Sequence, residues 1–261
     1  MSAGSGRSRD PALLEALGLG PPWVRREPGA PASAPGPALT ASAPPPEAAA
    51  ARPGVVAPSV RSQVAAMDWE ALEAAIAACG ACALGRTRQR AVPGVGDRRA
   101  GWLFVGEGPG AEEDQRGEPF VGQAGRLLDS MLAAIGLRRG EDVYIANIVK
   151  CRPPGNRNPE AAEAGACLPF LERQIELLQP RLIVALGRVA VTHLLGSEAP
   201  LSSLRGRLHA WRDIPVLVTY HPAYLLRNLP EKARAWEDLC LARDTMARLR
   251  AGTTGAAPGT A

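Results

Sequence analysis

Short apolar runs alternate along this chain with longer stretches of helical period, and that alternation predicts an α/β fold. Trp102–Val105, Val143–Asn147, Leu182–Leu186 and Val216–Thr219 read as buried strands. Helices are predicted over Trp69–Ala78 with Asp68 as cap, Ala124–Ile135, Pro159–Leu178 with Asn158 as cap, Arg188–Leu195 and Glu231–Leu249. A small hairpin over Leu204–Ile214 leads into the last strand. Strands alternating with helices give a parallel sheet, and right-handed crossovers put helices on both faces. The expected architecture is therefore a four-stranded parallel sheet flanked by helices.

Periodicity is missing from residues 1–66, where Ala, Pro, Gly and Ser dominate. Such a segment cannot bury enough apolar surface to offset its ordering entropy, so a disordered tail is expected there, a folded domain over 67–250 and a second disordered tail over 251–261. Leu13, Leu14, Leu17, Leu19 and Trp23 form one apolar patch in the tail. A short turn docking on a protein partner is one reading of it, and low-complexity filler is the better one. Arg7 and Arg9 hint at a transit peptide, against which stand Asp10 and Glu15. No apolar run approaches the roughly 20 residues of a membrane span. The formal charge of +4 and pI of about 9.0 are mildly basic, which is weak support for a polyanionic partner. Five cysteines without a secretory signal favour metal over disulfides in a reducing compartment. A monomer of the cytoplasm, bacterial cytoplasm or nucleoid, is expected.

Chemistry concentrates at the strand ends. The first strand stops at Gly106-Glu107-Gly108-Pro109-Gly110, a turn whose glycines let the backbone approach a bound group closely. Open α/β sheets bind ligands at that position. The spacing Gly106-x-Gly108-x-x-Ala111 formally fits a dinucleotide fingerprint. Pro109, however, has no N–H to offer a pyrophosphate, and Glu112, Glu113 and Asp114 follow where phosphate would sit. The turn is read as an active-site floor, reached by a loop from these acids to Phe120. The second strand ends at Asn147 and the fourth leads to His221, so parallel strands bring Glu107, Asn147 and His221 to one edge. Of the other histidines, His193 falls on an apolar helix and reads as packed core, and His209 lies in the hairpin without an evident partner.

Cys79-x2-Cys82, Cys151 and Cys167 supply four thiolates, while Cys240 reads as core. By count they suit zinc or an iron–sulfur cluster about equally. The wide split of the second pair departs from the usual paired zinc knuckles and leans the reading to [4Fe–4S]. Lys150, Arg152 and Arg157 make the loop after Asn147 basic, which suits phosphate contacts.

GEGPGAEED, PFVGQAGRLL, YIANIVKCRPPGNRNP and TYHPAYLLR, together with the four-cysteine spacing, resemble the family 4 (iron–sulfur) uracil-DNA glycosylases over about residues 67–249. The resemblance implies the uracil-DNA glycosylase fold and a structural [4Fe–4S] cluster on Cys79, Cys82, Cys151 and Cys167. It also implies removal of uracil from single- and double-stranded DNA without a diffusible cofactor. By the same resemblance Gly106, Glu107 and Gly108 line the base pocket, Phe120 stacks on uracil and Asn147 reads its edge. His221 stabilises the departing base, and Glu107 orients water or stabilises the sugar cation. Tyr224, Leu225 and Arg227 fill the gap left by the flipped base and hold the strand. A subgroup with Gln in the glycine turn and a basic insert carrying a DNA-trapping histidine is excluded by Gly106-Glu107-Gly108 and by the lack of that insert. A non-catalytic damage-binding module, or a redox protein using the cluster, is the alternative.

Overall fold

The computed structural model describes residues 63–252. The apolar patch at 13–23 and almost all of both expected tails lie outside those residues. Packed structure begins earlier than position 67, because Val64 is 3% exposed and joins the core. Arg173 Nε reinforces this end by donating to the Met67 carbonyl at 2.7 Å.

In chain order the elements are α1 (Trp69–Ala78), α2 (Leu84–Thr87), β1 (Val95–Gly96), β2 (Trp102–Gly106), α3 (Ala111–Arg116), α4 (Gln123–Ala134), β3 (Val143–Asn147), α5 (Ala161–Leu178), β4 (Leu182–Leu186), α6 (Arg188–Leu195), α7 (Leu201–Leu204), β5 (Leu208–Trp211), β6 (Ile214–Thr219), α8 (Pro222–Arg227) and α9 (Glu231–Arg250). The sheet runs β1-β3-β2-β4-β6-β5. Its four central strands are parallel and are the four read from sequence. Antiparallel edge strands bring the total to six, with β1 on β3 and β5 on β6. The strand order reverses at β2, which has β3 on one side and β4 on the other. That is where an open α/β sheet leaves a crevice at its carboxyl edge.

Every residue of β2, β3 and β4 is buried. Alternate side chains feed two cores. Leu103, Val105, Ile183 and Ala185 pack with α1, α5 and α6 on one face; Trp102, Phe104, Leu182 and Val184 pack with α4 and α9 on the other. Strands wanted by both faces read as continuous apolar runs, which is why they were visible in the sequence.

Three local readings are corrected, and one strand is added. The acidic stretch after the glycine turn is a short helix, α3, and not a loop; Gly117 closes it in the left-handed region at φ 80°. Helix α5 begins at Ala161, not at Pro159. Glu163 accepts the Glu160 N–H at 2.8 Å and pairs with Arg157, leaving Asn158 exposed outside the helix. Leu204 ends the helical turn α7, so the hairpin starts at Leu208. The edge strand β1 escaped notice because two residues, one of them glycine, carry no period.

Asp114 joins two segments distant in sequence. Its carboxylate is buried, at 2% exposure, and accepts the Gln89 and Arg90 N–H groups at 2.9 and 3.4 Å. Asp114→Ala should lower the unfolding free energy by about 2 to 3 kcal/mol, the scale of bonds to a charged buried group. A lower urea midpoint at unchanged slope is the expected measurement.

Candidate active site

Parallel pairing sets Gly106 of β2 directly beside Asn147 of β3. The pairing continues past both strand ends, with Ile148 N–H donating to the Gly106 carbonyl at 3.0 Å and Val149 N–H to the Glu107 carbonyl at 3.1 Å. The backbone of Glu107 is thereby fixed even though it lies beyond the strand. A Cβ on Gly106 would sit 2.5 Å from Asn147 Oδ1 and 2.6 Å from Phe120 Cζ, so only glycine leaves room for both side chains.

A cleft of about 410 Å³ opens at this edge, lined by Glu107, Gly108, Phe120, Asn147, His221 and Tyr224 among others. Another depression, of about 840 Å³, is lined by charged side chains already engaged with one another, such as Arg139 with Asp129 and Arg138 with Glu141. Its charges are spent on those pairs. The first cleft is different in kind, because Asn147 is 2% exposed and its Oδ1 has no hydrogen-bond partner. Leaving a buried acceptor unmatched costs free energy.

Phe120 forms one wall, and its backbone is held in the left-handed region at φ 55°. Such a conformation persists only where surroundings over-determine it. Glu113 Oε1 accepts the Val121 and Gly122 N–H groups at 2.9 and 3.0 Å, while Oε2 accepts the Gly110 N–H at 3.0 Å. From the other side, Arg139 donates to the Pro119 and Phe120 carbonyls at 2.9 and 2.8 Å. Helix α4 presses on the same residue, since a Cβ on Gly125 would lie 1.8 Å from the Phe120 carbonyl oxygen. Sequence reasoning missed the roles of Glu113 and Arg139. The one available signal was Glu113 standing three residues after the helix-capping glycine.

The His221 ring lies 5.4 Å from the Phe120 ring, centroid to centroid. Its Nδ1 accepts the Ala223 N–H at 3.1 Å. Burial, and secondarily the Arg227 charge, push its pKa down to about 4, against an opposing pull from Glu113. At neutral pH the ring is uncharged. With Nδ1 engaged as acceptor, its proton sits on Nε2 as a donor. Burial raises the pKa of Glu107.

Of the residues expected on the DNA strand, Tyr224 and Arg227 line the cleft mouth on α8, and Arg157 lines it too. Arg157 is clamped by Glu163 through two hydrogen bonds, Nη1 to Oε2 at 2.8 Å and Nη2 to Oε1 at 2.7 Å. Arg152 Nε donates to Asn156 Oδ1 at 2.7 Å. Two expectations fail. Lys150 is 1% exposed, and its ammonium donates inward to the Asn147 carbonyl at 2.9 Å and to Gln174 Oε1 at 2.6 Å, so it reaches no phosphate. Leu225 is 1% exposed within the core and cannot fill a gap in a duplex.

Cys79, Cys82, Cys151 and Cys167, all free thiols, line one small cavity under α1 and α5. Arg88 Nη1 donates to Cys151 Sγ at 2.8 Å and the Lys150 N–H to Cys167 Sγ at 3.2 Å. Burial pushes the Cys167 thiol up to about 12 and the Lys150 ammonium down to about 8. Buried thiolates therefore need positive charge close by. Among the described residues no three His, Cys, Asp or Glu side chains converge on a site for a single ion. Cys240, in α9, is apart from this group and half-buried.

Gly106→Ala should cost about 1 to 3 kcal/mol through overpacking against Asn147 and Phe120. Urea unfolding measures it, and altered near-ultraviolet dichroism should report the displaced Phe120 ring.

Residues 93–240 match the family model described as the uracil DNA glycosylase superfamily. A type-4 uracil-DNA glycosylase of Pyrobaculum aerophilum is 44% identical over 183 residues, covering 67% of this chain and 93% of that protein. One from Thermotoga maritima is 48% identical over 158 residues, covering 60% of this chain and 82% of its own. A type-5 uracil-DNA glycosylase of Thermus thermophilus is 36% identical over 160 residues, covering 49% and 73% respectively. With the family model spanning more than half of its length and a relative covered almost end to end, the chain belongs to the uracil-DNA glycosylase superfamily.

Proposed function

We propose that this protein hydrolyses the N-glycosidic bond of deoxyuridine in single- and double-stranded DNA, releasing uracil and leaving an abasic site. The observation that carries the reading is the unpartnered, buried Oδ1 of Asn147 at the floor of the cleft. Uracil offers an N3–H donor beside an O4 acceptor. An amide meets both, with Oδ1 accepting from N3–H and the side-chain NH₂ donating to O4. The target is hidden within a base stack, so the nucleotide is flipped into the cleft, where Phe120 stacks on it.

Bond breaking leaves an anionic uracil and a cationic sugar. A neutral His221 donating from Nε2 stabilises charge on uracil O2, an oxyanion-type role that needs no proton transfer. Glu107 orients water on the sugar and faces the positive charge that develops there. Arg152, Arg157, Tyr224 and Arg227 contact the strand outside the cleft.

The same reading assigns a structural [4Fe–4S] cluster to Cys79, Cys82, Cys151 and Cys167. Support comes from four thiols on one cavity, with N–H donors aimed at two sulfurs and the cations Arg88 and Lys150 beside them. When bound, the cluster would tie the end of α1 to the segment after β3 through Cys151 and to α5 through Cys167. No diffusible cofactor is required.

Excision from an oligonucleotide with a single uracil, followed by alkaline cleavage of abasic sites, tests the activity. Asn147→Asp should lose most uracil excision. Weak cytosine excision should emerge at lower pH, where a protonated Asp offers O–H to cytosine N3. Uracil excision near wild type in Asn147→Asp would remove this residue as the base reader.

His221→Ala should lower kcat by about 10²–10³, the usual loss for one oxyanion donor. Because its pKa is depressed, the ring stays neutral as pH falls from 8 to 5 and gains a proton only near 4. The wild-type rate should therefore show no inflection near 6.5. An acid limb at higher pH than the His221 titration belongs to Glu107, whose pKa burial raises, and should vanish in Glu107→Gln. An inflection near 6.5 abolished by His221→Ala would instead assign a charged imidazole.

Anaerobically purified protein should be brown, with broad absorption near 400 nm and stoichiometric iron. Cys151→Ala should lose the colour and melt at lower temperature. Zinc at one equivalent without iron would overturn the cluster assignment.

A further inference from the structure

Outside the base cleft, on the far side of His221 and Tyr224, lies a second cavity of about 380 Å³. The uracil reading leaves it unused. Its lining includes Tyr220, Tyr224 and Leu201, with Arg188 as the charged member and, among the described residues, no carboxylate. His221 and Tyr224 belong to both cavities, so whatever enters the second is a direct neighbour of whatever enters the first.

Tyr224 is 38% exposed, and it stacks on Tyr220 with centroids 5.1 Å apart and planes at 21°. Tyr220 carries the Arg205 guanidinium 4.5 Å from its centroid. Arg205 is fixed in turn by an ion pair with buried Asp238 at 2.7 Å and by the Arg234 carbonyl. The ion pair of Arg234 with Glu231 on α9 stands beside the Tyr220 side chain. Tyr224 is thus the open end of a braced stack that reaches back into α9. Preorganisation of this kind lowers the ordering cost of whatever stacks next.

We propose that this second cavity is a site for the unflipped nucleobase adjacent to uracil in the same strand, with Tyr224 as its stacking platform. The proposal rests on uracil occupying the first cleft. Continuity through the shared residues makes the neighbouring nucleotide the occupant, and a positive, acid-free lining suits the phosphate attached to it. Aromatic platforms accept any base, since every base has a π-face. The function differs from filling the hole that a flipped base leaves in a duplex. A gap-filling side chain has no work in single-stranded DNA, whereas a platform holds the strand there equally well.

The test uses the full-length protein and a single-stranded oligonucleotide with 2-aminopurine beside 2′-fluoro-2′-deoxyuridine, a nucleotide that resists excision. Binding should quench the 2-aminopurine fluorescence. Tyr224→Ala should abolish the quenching and weaken binding by about 5- to 100-fold, the range for losing one base–aromatic stack. Tyr224→Phe should retain both. Replacing the neighbouring base by an abasic spacer should weaken binding to the wild type similarly and leave Tyr224→Ala unaffected. Unchanged quenching in Tyr224→Ala overturns the platform, as does an effect of Tyr224 confined to duplex DNA. Wild-type protein that releases no uracil from ordinary deoxyuridine would sink the excision reading alone, because the quenching result is independent of turnover.

Discussion

Gly106 and Asn147 stand side by side because β2 and β3 pair in parallel from Trp102 and Val143 onward, and most of the candidate chemistry descends from that register. A slip of one residue would exchange the two faces of the strand, turning Asn147 away from the cleft and putting a side chain where Gly106 makes room. The pairing is secured by apolar residues buried on both faces, so the Asn147 amide is held by the main core and not by a loop. Its extension through Ile148 and Val149 also fixes where the next residues go. Lys150 and Cys151 follow at once, which brings the cysteine cavity within a few residues of the cleft floor.

Charge is distributed unequally between these two neighbouring centres. In the cleft, burial favours neutral forms, holding His221 uncharged at neutral pH and raising Glu107. At the cysteines burial likewise favours the neutral thiols, while the cations Arg88 and Lys150 pull the other way. Lys150 lies between, fully enclosed, with its ammonium on the Asn147 carbonyl and its N–H on Cys167. A lone buried ammonium would be expensive. Gln174 and the nearby sulfurs make it tolerable, and it braces the carbonyl of Asn147 in return.

Lys150 also marks the limit of what the sequence could tell. A lysine among arginines in a polar loop reads as a phosphate contact, because burial of a cation is a tertiary outcome with no periodicity. Leu225 misleads in the same way: adjacent to exposed Tyr224, its inward direction depends on α8 lying over the second core. What was legible had local causes. Apolar runs gave the four central strands, Asp68 does cap α1 through the Ala71 N–H at 2.9 Å, and strand-end residues were identifiable because parallel strands end on one edge. The edge strand β1, the start of α5 and helix α3 depended on partners far away in sequence or on a glutamate answering backbone donors.

Glu113 shows how such a partner can matter more than its own chemistry suggests. Set among three acids beside a glycine turn, it invites a reading as a substrate-facing carboxylate. Instead its two oxygens join Gly110 to Val121 and Gly122, closing the loop that holds Phe120 in a left-handed conformation. Strain at Phe120 is affordable only because Glu113, Arg139 and the missing Cβ of Gly125 act on the same few atoms. The aromatic wall of the cleft is consequently set before any ligand arrives. Whatever stacks there spends no energy on ordering the protein, and the buried acceptor of Asn147 stays unmatched beside that wall.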